Sequence, residues 1–340
     1  MADNLYVHFP FCRRKCSYCA LYSRAGASQA ERDAYARSLA PVAKGEYKTA
    51  YFGGGSPALC DLRPLLDAVT AEEFTVELHP LDVTRELLQT LRAGGVNRIS
   101  MGVQSVDDAI LQAMGRGYSF ADAERAFSLV RESFDNAGID LIVGYPEETA
   151  TLLPQHQRLR NWGLAHCSVY SLILEENTVL WKKKDALQFP DDEQVMDRLR
   201  EMARFLREIG LERYEISNYA VIGKECRHNL AVWRGEDYLG IGFGAHGRIG
   251  SVRIRHFTGS VPIPGGPKEE REVLSDEEDR KERRIFRLRT REGLDATGYP
   301  NWLPTLDKFV AEGLLSKQGM VYRLTERGTE VCDSILAEIV

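Results

Sequence analysis

Long apolar runs are missing from this sequence. No stretch approaches the roughly 18 uncharged apolar residues that a bilayer-crossing helix needs, so a membrane-spanning segment is not expected. The opening residues, MADNLYVHFPFC, show neither the basic patch nor the apolar core of a secretory signal. A cytoplasmic chain with reduced thiols is therefore expected. The seven cysteines are odd in number and fit poorly with a disulfide framework. An excess of basic charge is also missing. With 44 Lys and Arg against 50 Asp and Glu, the formal net charge is -6, which argues against broad electrostatic capture of nucleic acid. Internal repeats and low-complexity segments are absent.

What is present is a chain of 340 residues, 44% of them hydrophobic. That is enough for one large domain and a smaller one. Short β-rich runs alternate with helical patterns. Strands are expected at 5–9, 48–52, 74–78, 97–103, 139–145 and 166–172. Helices are expected at 29–43, 62–72, 84–95, 107–114, 119–134 and near 149–162. Six strand–helix units in succession imply an α/β fold with a parallel sheet, either open or curled into a complete or partial barrel. In each case function collects at the C-terminal ends of the strands. Residues 257–283, rich in proline, glycine and charge, read as a linker between a domain at 1–256 and another at 284–340. The last segment reads as helix, β-hairpin and helix, a small α+β module resembling a winged helix. From 275 to 340 it carries 11 Lys and Arg against 13 Asp and Glu. A DNA reader would show a basic footprint, so a packing or docking module is expected and nucleic acid is not.

Three of the cysteines, Cys12, Cys16 and Cys19, fall within eight positions in YVHFPFCRRKCSYCALYS. Structural zinc is closed by four protein ligands, commonly in two pairs. Here the spacing is C-x3-C-x2-C and no second pair exists, since Cys60, Cys167, Cys226 and Cys332 stand apart. Zinc completed by His8 is one reading. The other is a 4Fe–4S cluster on three thiolates, which leaves one iron open to a ligand.

The strand ends carry further candidates. The glycines of YFGGGSP, with Gly54, Gly55 and Ser56, follow the second strand and allow close approach of a ligand to the backbone. Glu77 ends the third strand, where a carboxylate can accept from an ammonium or ribose. Gln104 ends the fourth, Arg116 follows twelve residues later as a carboxylate clamp, and Asp140 sits within an apolar strand and needs partners. For each alone, an ordinary structural hydrogen bond is the competing account.

Taken in order, these positions resemble the radical S-adenosylmethionine superfamily. C-x3-C-x2-C after a first strand resembles its cluster motif, and GGGSP resembles its GGGTP motif, with serine keeping the hydroxyl. Tyr6 in YVHFPFC, with SMGVQS and DLIVGYP, resembles the branch of coproporphyrinogen dehydrogenase (HemN) and the HemW heme chaperones. The resemblance runs from about residue 5 to 335. It implies a partial (β/α)6 barrel and a 4Fe–4S cluster on Cys12, Cys16 and Cys19. It further implies that S-adenosylmethionine is held by Tyr6, Gly54, Gly55, Ser56, Glu77, Gln104, Arg116 and Asp140. In the superfamily, reductive cleavage gives a 5′-deoxyadenosyl radical. Two features separate the chain from the dehydrogenase: Ala20 and Leu21 follow Cys19 where that enzyme has a further cysteine, and only Met1 to Asn4 precede the first strand. The HemW proteins share both absences. They bind heme and pass it to acceptor proteins, respiratory and in part membrane-bound, which implies a place at the inner membrane face. An H-N-x-x-Y-W motif is implicated there. HNLAVW offers His228, Asn229 and Trp233, with Val232 in place of tyrosine. Arg13, Arg14 and Lys15 form either a solvated loop face or a landing site for an acidic flavodoxin-type electron donor. The remaining alternatives are an enzyme acting on a porphyrin, by oxidative decarboxylation, methyl transfer or heme breakdown, and a zinc-bearing interaction protein.

Overall fold

The computed structural model describes residues 2–146, 148, 156–256 and 269–339. Its framework follows from a strict period of two. In β1 (Asn4–Phe9), Leu5, Val7 and Phe9 are buried on one face, while Asn4, Tyr6 and His8 occupy the other. The same division runs through β2 (Gly45–Gly54), β3 (Val69–Leu78), β4 (Arg98–Gln104), β5 (Asn136–Val143) and β6 (His166–Ser171). Ala50, Phe52, Phe74, Val76, Ile99, Met101, Ala137, Ile139, Cys167 and Val169 form one apolar core with the surrounding helices. The opposite face holds Thr49, Tyr51, Glu73, Thr75, Glu77, Arg98, Ser100, Asp140, His166 and Ser168. Successive side chains of a strand point to opposite faces. The sheet therefore turns an apolar side to its helices and a polar side inward.

The six strands pair in parallel and in sequence order. Beyond β1 lies β9 (Tyr238–Ile241), also parallel, followed by the antiparallel β10 (His246–Ile249), β11 (Val252–His256) and β12 (Glu269–Val273). Beyond β6 lie β8 (Asn218–Ala220) and β7 (Glu212–Arg213), antiparallel. The ladder runs from β12 to β7 with no closing pair among the described residues. This is the expected α/β fold, with the six predicted strands parallel and in order as in a partial barrel.

Several helices match their sequence signals. Gln29–Ala43 begins at a capping box of Ser28 and Glu31, Arg85–Ala93 at Thr84, and Phe120–Ser133 at a box of Ser119 and Asp122. The expected helix at 62–72 is a correction. It is a single turn, Arg63–Leu66, and β3 already begins at Val69. Pairing of Gly45–Phe52 with Val69–Val76 outweighs local helical preference there. Of the helix near 149–162, residues 149–155 lie outside the described residues, and Gln157–Leu159 form a short 3-10 turn.

The linker composition of 257–283 also misleads. Residues 257–268 lie outside the described residues, but β12 pairs with β11 and Asp276–Ile285 is a helix capped by Ser275 and Glu278. Its charges have partners. Buried Arg248 meets Asp279 and Glu282, and Arg253 meets Glu272 and Glu282. The C-terminal module has the expected order: helix Leu303–Ala311, hairpin β14 (Leu315–Gln318) with β15 (Val321–Leu324), and helix Cys332–Ile339. A short β13 (Leu294–Asp295) completes its sheet. Leu288, Trp302, Leu306, Phe309, Tyr322 and Ile335 form its own core. No helix among the described residues is long and apolar enough to cross a membrane.

Candidate functional site

The cysteine loop leaves the C-terminal end of β1 and returns at Arg24, where the Cys12 amide donates to the Arg24 carbonyl at 3.1 Å. Its centre is pinned from outside. The Ser17 amide donates to the Met114 carbonyl at 3.0 Å, and the Leu180 amide donates to the Ser17 carbonyl at 2.8 Å. Cys12, Cys16 and Cys19 are free and half-buried, whereas the other four cysteines are free and buried. Burial, then the neighbouring Cys19 and Cys16, push the Cys12 thiol up to about 11. Such thiols deprotonate readily only against a cation or metal. Among the described residues no three His, Cys, Asp or Glu side chains converge on a single metal position. Nor does His8 complete a zinc site, because both its nitrogens are engaged. Nε2 lies 3.2 Å from the Tyr22 carbonyl, which can only accept, so Nε2 carries the proton and Nδ1 accepts from the Tyr6 hydroxyl at 3.1 Å. Thiols spread over a loop suit a polynuclear centre in which each sulfur takes its own iron.

The three glycines at the end of β2, Gly53 and Gly54 in the strand and Gly55 just past it, each make room for something specific. A Cβ at Gly53 would lie 2.8 Å from the Glu77 carboxyl carbon. One at Gly54, whose φ is +101°, would lie 2.6 Å from the His8 ring. One at Gly55 would lie 2.4 Å from the Phe11 carbonyl and 3.0 Å from Cys12 Sγ. The Gly55 amide donates to the Phe9 carbonyl and the Ser56 amide to the Phe11 carbonyl, both at 2.6 Å. The segment is thus stitched to the root of the cysteine loop.

Glu77 accepts from the Tyr51 hydroxyl at 2.7 Å and from the Gly54 amide at 3.1 Å. Burial, then the charge of Asp140, push its carboxyl up to about 7, against the pull of those two donors. Asp140 accepts from Ser100 Oγ at 3.1 Å. Its carboxyl is also raised by burial, with Ser168 and Ser100 opposing.

Gln104 has φ of 72°, the sole left-handed non-glycine residue among those described. A register shift between Gly102 and Gln104 places it there. Arg116 lies beside this bulge and donates to the Gly102 carbonyl at 2.7 Å and to Cys16 Sγ at 3.4 Å. Tyr6, Gly54, Glu77, Gln104 and Asp140 thus lie on the inner face or at the C-terminal ends of β1–β5, while Gly55, followed by Ser56, approaches Cys12 and Arg116 reaches Cys16.

Sequence reasoning missed Asp82. It ends a 3-10 turn, Pro80–Asp82, just past β3. It accepts a short hydrogen bond from Ser56 Oγ and another from Arg13 Nε at 2.5 Å. Those partners are 26 and 69 residues away, so local pattern carries no signal of it. Arg13 is exposed, as expected of a solvated loop face, and its Nε is in addition paired with Asp82.

The structure does not bring His228 and Trp233 together. Both lie on the helix Arg227–Trp233, but five positions at about 100° each set them on different faces. His228 is buried and faces inward, with Nδ1 at 2.8 Å from Thr49 Oγ1. The Thr49 hydroxyl donates to Asn4 Oδ1 at 2.8 Å, so His228 Nδ1 is the donor. Nε2 has no hydrogen-bond partner among the described residues. Burial, with the nearby Arg98, pushes this imidazole down to about 3, and it is neutral. Trp233 faces the C-terminal module, donating from Nε1 to Glu215 at 2.8 Å, with the Arg289 guanidinium 5.3 Å from its ring centre. Asn229 is half-buried between them.

This arrangement has counterparts. Residues 6–158 match the family model of the radical SAM superfamily. The heme chaperone HemW of Bacillus subtilis is 32% identical, over 99% of this chain and 100% of its own length. The heme chaperone HemW of Escherichia coli is 30% identical, over 98% and 97%. Coproporphyrinogen III oxidase (HemN) of Escherichia coli, a solved radical SAM enzyme, superposes with a TM-score of 0.82 over 99% of this chain and 90% of its own. At 21% identity it shows a shared fold. The chain belongs to the radical SAM superfamily and, within it, to the family of the heme chaperones HemW.

Proposed function

We propose that the protein is a heme chaperone that holds a 4Fe–4S cluster on Cys12, Cys16 and Cys19 and S-adenosylmethionine beside it. The superfamily implies both cofactors. What supports the reading is that the cysteine loop is contacted from two sides, by Gly55 beside Cys12 and by Arg116 donating to Cys16, with Glu77 bound to the Gly54 amide next to them. The residues fit the pair of cofactors. Three thiols make an open donor set, and Gly55 leaves the space beside Cys12 that any side chain would fill. When bound, the cluster supplies one-electron reduction of the sulfonium compound. The protein's part is positioning. Glu77 and Ser56 offer oxygens to the ammonium, and Arg116 offers a guanidinium to the carboxylate. Gln104 and Asp140 suit the ribose, and Tyr6 walls the pocket from below.

Heme is proposed from the relatives' names together with the state of His228. Its neutral ring, with Nδ1–H donated and Nε2 bare, is the form that ligates a metal. The ring packs against Tyr6 and Tyr51 on the inner face of the sheet, so heme would reach it from that side. Asn229 would flank that approach, and Trp233 would serve from the other face of the helix, beside the C-terminal module. The acceptors would be heme proteins, including respiratory ones at the inner membrane. The electron donor would be an acidic, flavodoxin-type protein. Arg14 and Lys15 are exposed for it, and Lys182 and Lys183 are brought alongside through the Leu180–Ser17 hydrogen bond. We assign cofactor binding to the domain at 1–256, with β12 extending its sheet, and docking to the module at 284–340.

The test is anaerobic reconstitution followed by hemin titration. A broad iron–sulfur absorption and then a sharp Soret band are expected, with heme passing to an apo-acceptor. His228→Ala should weaken heme binding by at least tenfold. An unchanged Soret band in that variant overturns the assignment of the heme ligand. Formation of protoporphyrinogen from coproporphyrinogen overturns the chaperone reading as the sole function.

A further inference from the structure

We propose that Asp82 is a positioning residue that orients the Ser56 hydroxyl for an ammonium group and ties the glycine segment to the cysteine loop. The proposal rests on the reading of Gly54–Ser56 as part of the S-adenosylmethionine site.

The geometry has three parts. First, the Asp82 side chain is 2% exposed, and its backbone is fixed by the turn, with its amide donating to the His79 carbonyl at 2.9 Å. Second, its two oxygens serve two different segments: Oδ2 accepts from Ser56 Oγ and Oδ1 from Arg13 Nε. Arg13 adjoins Cys12, and Ser56 adjoins Gly55, whose missing Cβ leaves the space next to Cys12 Sγ. The carboxylate thus bridges the residue after the first thiol and the residue after the last glycine. Third, a carboxylate can only accept. The single Ser56 hydroxyl proton is therefore committed to Asp82, and Ser56 Oγ turns only lone pairs toward the site. A lone-pair-bearing oxygen attracts an ammonium and has nothing to offer a second acceptor. Asp82 in this way selects for the amino acid part of the ligand without touching it.

Arg13 is half-exposed, so its ion pair contributes little stability by itself. What it adds is register. The guanidinium occupies Oδ1, which leaves Oδ2 to Ser56 and links the residue after Cys12 to the same carboxylate.

Asn at position 82 keeps the shape but can donate to Ser56, which frees the hydroxyl proton to point into the site. The experiment measures equilibrium binding of two probes to the reconstituted full chain: S-adenosylmethionine, and 5′-methylthioadenosine, which lacks the amino acid group. Asp82→Asn and, separately, Ser56→Ala are each expected to weaken S-adenosylmethionine by roughly tenfold and to leave methylthioadenosine within about twofold. Arg13→Gln is expected to show the same selectivity with a smaller loss. Unchanged S-adenosylmethionine binding in either Asp82→Asn or Ser56→Ala overturns the proposal. Equal loss of both probes also overturns it, because that is collapse of the pocket and not reorientation of one hydroxyl. If Asp82→Asn does not fold, Asp82→Glu, which keeps a carboxylate but displaces it from Ser56, decides with Ser56→Ala by the same two criteria. A wild-type chain that takes up a cluster but binds neither probe overturns the underlying site reading, a result distinct from any of these.

Discussion

Arg116 donates from its guanidinium to Cys16 Sγ at 3.4 Å while holding the Gly102 carbonyl at 2.7 Å. One side chain thus joins the cysteine loop to the bulged end of β4. A cationic donor on a ligating sulfur stabilises the more electron-rich, reduced form of a cluster. Replacing it by Gln removes the charge and weakens the hydrogen bond. At about 1 kcal/mol for that contact, Arg116→Gln should lower the reduction potential by roughly 40 mV. Redox titration followed by paramagnetic resonance checks this, and iron content should stay at the wild-type level. A potential unmoved by the substitution would show that the sulfur contact has no electronic consequence.

Glu77 yields a pH dependence with two opposite faces. Its carboxyl is raised from the ordinary value to about 7, so between those values the folded state holds a proton that the unfolded state has released. Stability of the cofactor-free protein therefore falls as pH rises across that window. Glu77→Gln should raise the thermal midpoint at pH 8, by the equivalent of about 1–3 kcal/mol, and leave it nearly unchanged at pH 4. Ligand binding runs the other way. The carboxylate must be charged to hold an ammonium, so S-adenosylmethionine affinity should rise from pH 6 to pH 8 in the wild type. In Glu77→Gln it should be weak and flat. Denaturation scans and binding isotherms at the three pH values check both signs.

Gln104 occupies a backbone conformation that costs a side-chain-bearing residue about 1 kcal/mol or more. Its amide nonetheless lies against Gly102, where a Cβ would come within 2.7 Å of Nε2. Gln104→Gly relieves the strain and should leave stability equal or up to about 1 kcal/mol higher. The same variant should bind S-adenosylmethionine several-fold more weakly, as measured by equilibrium dialysis. A β-branched substitution, Gln104→Val, should destabilise by about 1–3 kcal/mol.

The features readable in the sequence were those expressed locally. Leu5, Val7 and Phe9 alternate with Asn4, Tyr6 and His8, and that period alone places β1 and, by repetition, the sheet. Glu77, Gln104 and Asp140 stood out because each is a polar group at or within an apolar strand. The unreadable features depend on partners far along the chain. Asp82 has no meaning without Arg13 and Ser56. Residues 69–72 turn extended because β2 supplies a ladder, and 269–285 are ordered because Arg248 and Arg253 supply counter-charges. The separation of His228 from Trp233 was present in the sequence only as helical phase. It emerged once the six-residue motif proved to lie on one short helix with β2 on one side and the C-terminal module on the other.

Gly55 gives the sharpest steric test of the site. A Cβ there would sit 2.4 Å from the Phe11 carbonyl, 2.8 Å from the Phe9 carbonyl and 3.0 Å from Cys12 Sγ. Two of these atoms are backbone and cannot swing aside as a side chain could. Gly55 lies outside the left-handed region that requires glycine, so alanine suffers from contact and not from dihedral strain. Relief must come from moving either the glycine segment or the root of the cysteine loop. The apolar core on the other face of the sheet holds β1 and β2 in place, so the loop is the part that gives. Gly55→Ala should therefore keep the wild-type circular dichroism spectrum and lose at most about 1–3 kcal/mol of stability. Its iron and sulfide content after reconstitution should fall well below that of the wild type. Gly95, with nothing within 4 Å of its Cβ position, is the control. Gly95→Ala carries the dihedral penalty of a left-handed site (φ +85°) and should lower stability with no effect on cluster uptake. Full iron loading of Gly55→Ala would show that the loop can reach its ligating geometry without this close approach.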